Sequence, residues 1–168
     1  MQKSCRTAFF FILVVFVFQG CYSFNGGSQV ANFKTIAIPV FGDRSGAGIA
    51  QFRAELSKGI VDRIESQSFL RFTPSMARAD ALLEGTITSF SDLPGQLSVT
   101  TGRAIMNRIT LIVQVTMEER VTKKILFSQT FVGFADYPAG NYVAQQEAIH
   151  FAIGQIVDGI FDRVVSGW

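Results

Sequence analysis

Residues 104–118 read AIMNRITLIVQVTME, and their alternation decides the fold. Ile105, Ile109, Leu111, Val113, Val115 and Met117 fall on one side, and Arg108, Thr110, Gln114, Thr116 and Glu118 on the other. A period of two with one apolar side marks a strand in a sheet that buries one face. Downstream, the polar turn at residues 121–124 leads into a second strand, Ile125 to Ala135. Upstream, Ala81 to Phe90 reads as a third, joined through the flexible connection GQLSVTTG at 95–102. The segment DYPAGN at 136–141 ends the strands, and a helix follows from Tyr142 to Val165. Its apolar stripe is Ala148, Phe151, Ala152, Ile156, Ile160 and Val164.

The first half of the chain has a different rhythm. Lys34 to Phe41 (KTIAIPVF) is apolar and β-branched without helical spacing, which predicts a strand. Gly42 to Gly48 is a glycine-rich loop. Ile49, Phe52, Leu56, Ile60 and Ile64 then recur every three or four residues, predicting an amphipathic helix over about 48–66. Phe69 to Thr73 is a short extended piece stopped by Pro74. The order strand-helix-strand-strand-strand-helix implies an α+β two-layer sandwich. Two helices would pack on one face of a four-stranded mixed sheet.

The chain has 168 residues, 48% of them hydrophobic and 17% charged, enough apolar surface for one folded domain. Residues 1–20 hold five of the 17 Phe and only two charges, Lys3 and Arg6. Without them, 13 cationic side chains face 13 acidic ones, so the formal charge of +2 belongs to the leader. That balance argues against nucleic acid as a partner. Lys3 and Arg6 precede an uncharged run, AFFFILVVFVF at 8–18, too short to span a bilayer but suited to a secretory signal. Gly20-Cys21 then resembles the lipobox of bacterial lipoproteins, in which the Cys is acylated and becomes the mature N-terminus. Cys5 would leave with the signal, so Cys21 would be the single thiol of the mature chain, and lipidation accounts for it. Tyr22, where an Asp would resemble an inner-membrane retention signal, favours the outer membrane. The expected organisation is a signal peptide at 1–20, a lipidated N-terminus and tether at 21–33, and an α+β domain at 34–168.

Little in the domain suggests catalysis. His150 is the sole histidine and lies within the last helix, with no Ser or Cys nucleophile at a recognisable turn. Glu118-Glu119 reads as a solvated strand end. Gly26-Gly27 and Gly42 to Gly48 lack the Lys-Ser/Thr of a phosphate loop. No cluster of His, Cys and carboxylates has metal-ligand spacing. The expectation is a non-enzyme with no catalytic residues, no metal and no cofactor.

Four segments together carry a resemblance: GCYSF at 20–24, KTIAIPVF at 34–41, ADALLEGTI at 79–87 and IFDRVVSGW at 160–168. In this order they resemble the LptE family, the lipopolysaccharide-assembly lipoproteins of the Gram-negative outer membrane. The resemblance implies a protein on the periplasmic face that plugs and helps assemble the LptD β-barrel and binds lipopolysaccharide. It also implies two helices on a four-stranded sheet. A second resemblance, carried by the Pro-Val-Phe strand end and the Ala-Asp before strand two, is to lipoproteins of the CsgG and cell-wall-synthase-activator type, which bind a protein partner. A right-handed crossover through the first helix would make the first two strands parallel. The loops at 42–48, 91–103 and 136–141 would then share one end of the sheet, with Arg44 and Arg103 in them and Arg108 a short way down its strand. Arginine binds phosphate through a fork of donors. Arg103 is the nearest match to the family's lipopolysaccharide-binding loop cations. Asp43, Asp92 and Asp136 share that end, so attraction would depend on local geometry.

Overall fold

The computed structural model describes residues 33–48 and 50–166. The signal peptide, Cys21, the tether before Phe33, Ile49 and the closing Gly167-Trp168 lie outside the described residues. Strand β5 (Ala104–Glu119) runs through a meander between β4 (Ala81–Leu97) and β6 (Ile125–Pro138), antiparallel to both. Its alternation appears in space: Ile109, Leu111, Val113, Val115 and Met117 are buried. On the other face Gln114, Ser128 and Thr130 share hydrogen bonds across β5 and β6. Helices α1 (Ala50–Gln67) and α2 (Tyr142–Val165) cover the apolar face.

The sheet has six strands, not four. Pro39 has no N–H to donate to a ladder. The expected first strand therefore shrinks to β1 (Thr35–Ala37), and β2 (Gly42–Asp43) forms in the segment read as a loop; both pair with β4 in parallel. The extended piece before Pro74 supplies β3 (Arg71–Phe72), which adds to the free edge of β1. The order across the sheet is β3-β1-β4-β5-β6, with β2 also on β4. The parallel β1–β4 pair agrees with the expected crossover. The long strands also outrun their expected ends, to Leu97 and Pro138, so the connection to β5 shortens.

Two of the described positions expected on the apolar faces fall outside the core. Ile105 is 53% exposed, because β5 passes beyond the helical layer there. Phe151 is 62% exposed, and the buried stripe of α2 runs instead through Ala148, Ile149, Ala152, Ile153, Ile156 and Ile160. Asn141 caps α2 by accepting a 3.1 Å bond from the Ala144 N–H. A bulge between Ile87 and Ser89 reverses which face β4 residues point to. Phe90 thereby turns toward the helices and packs on Phe52 of α1, ring centroids 5.6 Å apart.

Two glycines set how closely the layers approach. A Cβ on Gly133 would lie 2.0 Å from the carbonyl oxygen of Ala152, so α2 crosses β6 almost in backbone contact. A Cβ on Gly85 would lie 2.1 Å from the ring of Phe41, which is buried. Gly154, in the middle of α2, has nothing within 4 Å of that position. We expect Gly133→Ala to destabilise the domain by about 2 kcal/mol through overpacking. Gly154→Ala should stabilise it by up to about 1 kcal/mol through helix propensity. Thermal unfolding of the two variants reads both signs, and equal shifts would contradict this packing.

Strand β1 is too short to hold its place by ladder bonds alone. The Asp80 carboxylate adds three bonds of 2.9 Å: it accepts from the N–H of Lys34, the N–H of Thr35 and the Thr35 hydroxyl. The Asp80 N–H donates to Thr35, and its carbonyl accepts from the Arg120 N–H at 2.8 Å. The bond from Lys34 N–H is the largest cause holding this carboxyl below its ordinary pKa, against partial burial that raises it. A carboxyl lowered on folding contributes stability above its unfolded value and loses it as pH falls through the folded one. Asp80→Ala should therefore lower the melting temperature at neutral pH by several degrees. The gap from wild type should narrow as pH drops below about 4; a gap that is constant with pH would show that the charge is not involved.

Candidate functional site

Beyond the helical layer, β4 and β5 continue as a two-stranded ribbon from Leu93 to Asn107 in which no residue is buried. It displays Leu93, Leu97, Val99 and Ile105, Val99 being fully exposed. The turn closes through Ser98, whose N–H donates to the Arg103 carbonyl and whose own carbonyl accepts from the Gly102 N–H, both at 2.8 Å. Gly102 has φ 65°, a conformation that favours glycine. Arg103 follows it, exposed, and no carboxylate pairs with its guanidinium among the described residues. The tip is thus apolar side chains around one unpaired guanidinium, a surface suited to an anionic amphiphile.

The other two expected arginines are not brought to this point. Arg108 lies five residues along β5 from Arg103, roughly 17 Å. Its guanidinium is bidentate on Asp136, with Nε to Oδ1 at 2.7 Å and Nη2 to Oδ2 at 2.8 Å. It also lies 5.2 Å from the centre of the Phe134 ring. The Arg108 hydrogen bonds hold the Asp136 carboxyl below its usual range, and Asp136 raises the Arg108 pKa in return. Its donor fork is therefore occupied. Arg44 is lower still: its N–H donates to Ile87, which pairs with Val113 in mid-sheet. That is about ten strand residues from Arg103, roughly 30 Å.

Sequence reasoning missed the cluster at the base of the ribbon. The Tyr137 hydroxyl donates to Asp92 Oδ2 at 2.6 Å, and Gln145 Nε2 of α2 donates to the same oxygen at 2.6 Å. Asn107 Nδ2 donates to the Tyr137 oxygen at 3.1 Å. Burial first, then the Asp92 bond, raises the Tyr137 pKa. The cluster ties β4, β5, β6 and α2 together where the ribbon leaves the core. Its signal was Tyr137, hidden in a segment that reads as a strand breaker. Beside it, Phe134, Pro138, Ala148 and Phe151 line an open groove of about 590 Å³ between β6 and α2. His150 Nδ1 lies 2.5 Å from Glu55 Oε1 and joins the two helices. Among the described residues no three metal-ligating side chains converge, and no helix is long and apolar enough to cross a membrane.

Comparison with curated proteins gives no sequence match. Solved structures share the fold at low identity. A protein from Xanthomonas campestris, XCC0632, is 13% identical with a TM-score of 0.56, over 80% of this chain and 85% of its own. Uncharacterized lipoprotein B from Nitrosomonas europaea is 12% identical with a TM-score of 0.53, over 80% and 83%. A minor lipoprotein from Acinetobacter baumannii is 13% identical with a TM-score of 0.51, over 80% and 94%. The LptE family, described as lipopolysaccharide-assembly, matches residues 33–164, from two residues before β1 nearly to the end of α2. The chain belongs to the LptE family.

Proposed function

We propose that this chain is an outer-membrane lipoprotein, acylated at Cys21, that docks in the LptD β-barrel and binds lipopolysaccharide on its way to the cell surface. Its role is binding and assembly rather than catalysis. Family membership supports the partner, and the ribbon tip is the observation that supports the ligand. Lipopolysaccharide offers phosphates and acyl chains together. The tip offers an uncommitted guanidinium among Leu97, Val99 and Ile105. Charge-assisted hydrogen bonds from arginine suit the phosphates, and the apolar side chains suit the lipid.

The ligand reading separates the two ends of the sheet. Arg103→Glu should weaken binding of purified lipopolysaccharide at least about tenfold, the scale of one lost charge-assisted bond. Lys123→Glu with Lys124→Glu, at the opposite end, should change it little. The reverse order would place the site at the wrong end.

Two further measurements test the rest. Mass spectrometry of the membrane-bound protein should find residues 1–20 absent and acyl chains on Cys21; an unmodified chain starting elsewhere contradicts the anchor. Crosslinkers placed over the domain surface in cells should capture a large outer-membrane β-barrel. Capture only of a smaller soluble partner would favour the CsgG-like or synthase-activator reading.

A further inference from the structure

The end of the sheet opposite the ribbon has its own composition. The starts of β1, β3 and β4 meet the Arg120–Lys124 turn there: Thr35 pairs with Arg71, Ile36 with Ala81, and Ala81 with Glu119. Phe69, just before β3, is fully exposed, and Val121 in the turn is 87% exposed. Met76, in the loop that crosses β1 from β3 to β4, is also exposed, and its carbonyl accepts a 3.0 Å bond from Arg120 Nε. Exposed cations surround these apolar tips: Lys34, Arg71, Arg78 and Lys124.

The acids nearby are largely committed. Glu118 accepts from Arg120 at 3.3 Å and from Lys123 at 3.1 Å. Asp80 is satisfied by backbone N–H groups, and Glu119 accepts from Thr122. Arg71, Arg78 and Lys124 make no ion pair among the described residues. Glu65 and Asp162 are exposed near the ends of α1 and α2, on the helical layer, so the positive rim belongs to the sheet side.

We infer that this rim seats on the anionic phospholipid headgroups of the membrane that anchors the chain. The inference rests on the reading of Cys21 as the anchor, and the position of the chain's entry supports it. Phe33 enters β1 at this end. The eleven residues from 22 to 32 separate it from Cys21 and reach at most about 40 Å. Cationic side chains around protruding Phe and Val suit a bilayer surface: the cations find lipid phosphates, and the apolar tips enter the interface. Each cation near an anionic membrane contributes a factor of about five in partition. The attraction fades within a Debye length, about 8 Å at physiological salt. A short anchor that holds the rim near the surface therefore lets a weak patch set the domain's orientation.

The test uses the processed protein reconstituted in phosphatidylethanolamine vesicles, with or without phosphatidylglycerol. An environment-sensitive fluorophore is placed at Val121→Cys, or at Val99→Cys on the ribbon tip, and headgroup-labelled lipid quenches it. Quenching at 121 should rise several-fold with phosphatidylglycerol and fall with added salt, while position 99 stays unquenched. Arg71→Glu with Arg78→Glu and Lys124→Glu should lower quenching at 121 about tenfold or more. Arginine-to-lysine replacements at 71 and 78 should preserve it. Lipopolysaccharide binding by the triple variant should stay near wild type, which separates this surface from the ribbon tip. The same quenching in neutral and anionic vesicles, or an unchanged signal in a triple variant with wild-type melting temperature, overturns the proposal. If Cys21 proves unmodified, the same proteins are added to preformed vesicles. Charge-dependent partition there would uphold the surface while the anchor fails, and no partition would overturn both.

Discussion

Much of this fold hangs on one carboxylate. Asp80 holds the first strand by three hydrogen bonds and the β5–β6 turn through its backbone. A three-residue parallel strand has few ladder bonds, and parallel pairing is slightly weaker per residue than antiparallel. Without the side chain, the crossover that carries α1 over the sheet would be fastened at its origin by little more than β1's own ladder. The same bonds fix where the chain enters the domain, next to Arg71 and the 120–124 turn. Local order at Asp80 thus determines at which end of the sheet the chain enters the domain.

The parts legible in the sequence are those whose pattern repeats. Strand β5 shows five consecutive buried odd positions from Ile109 to Met117, and α1 shows four turns of regular spacing. The illegible parts depend on partners distant in sequence. β2 and β3 are two residues each and exist only because a neighbour offers hydrogen bonds. Ile105 and Phe151 have core-like periodicity, but β5 passes beyond the covering layer at Ile105, and Phe151 lies beside the buried stripe of α2; periodicity carries no record of where cover ends. Arg108 is the sharpest case. As a strand cation it looked available, yet the β5–β6 register places Asp136 directly opposite. Arg103 kept its candidacy because it sits in a turn, where no register supplies a partner.

The two ends of the sheet divide the charged work differently. At the ribbon end the acids are taken up locally: Asp136 by Arg108, and one Asp92 oxygen by Tyr137 and Gln145. A single guanidinium remains there, among apolar side chains. At the opposite end Glu118, Glu119 and Asp80 are also taken up, but several cations remain. On the two readings proposed above, one end suits a discrete ligand and the other a diffuse surface, although the domain as a whole is neutral.

Strand β5 also works as a ruler. Its sixteen residues make it roughly 50 Å long, and the turn at Arg103 adds a little more. A bilayer measures about 40–45 Å across with its headgroups. A domain held at its tether end on one leaflet and lodged lengthwise in a membrane-spanning barrel would carry its ribbon tip to the level of the far headgroups. The depth of that tip would then be set by the number of residues in a stiff strand rather than by a flexible linker. Shortening β4 and β5 together by two residue pairs would leave core and anchor intact and withdraw the tip by roughly 7 Å.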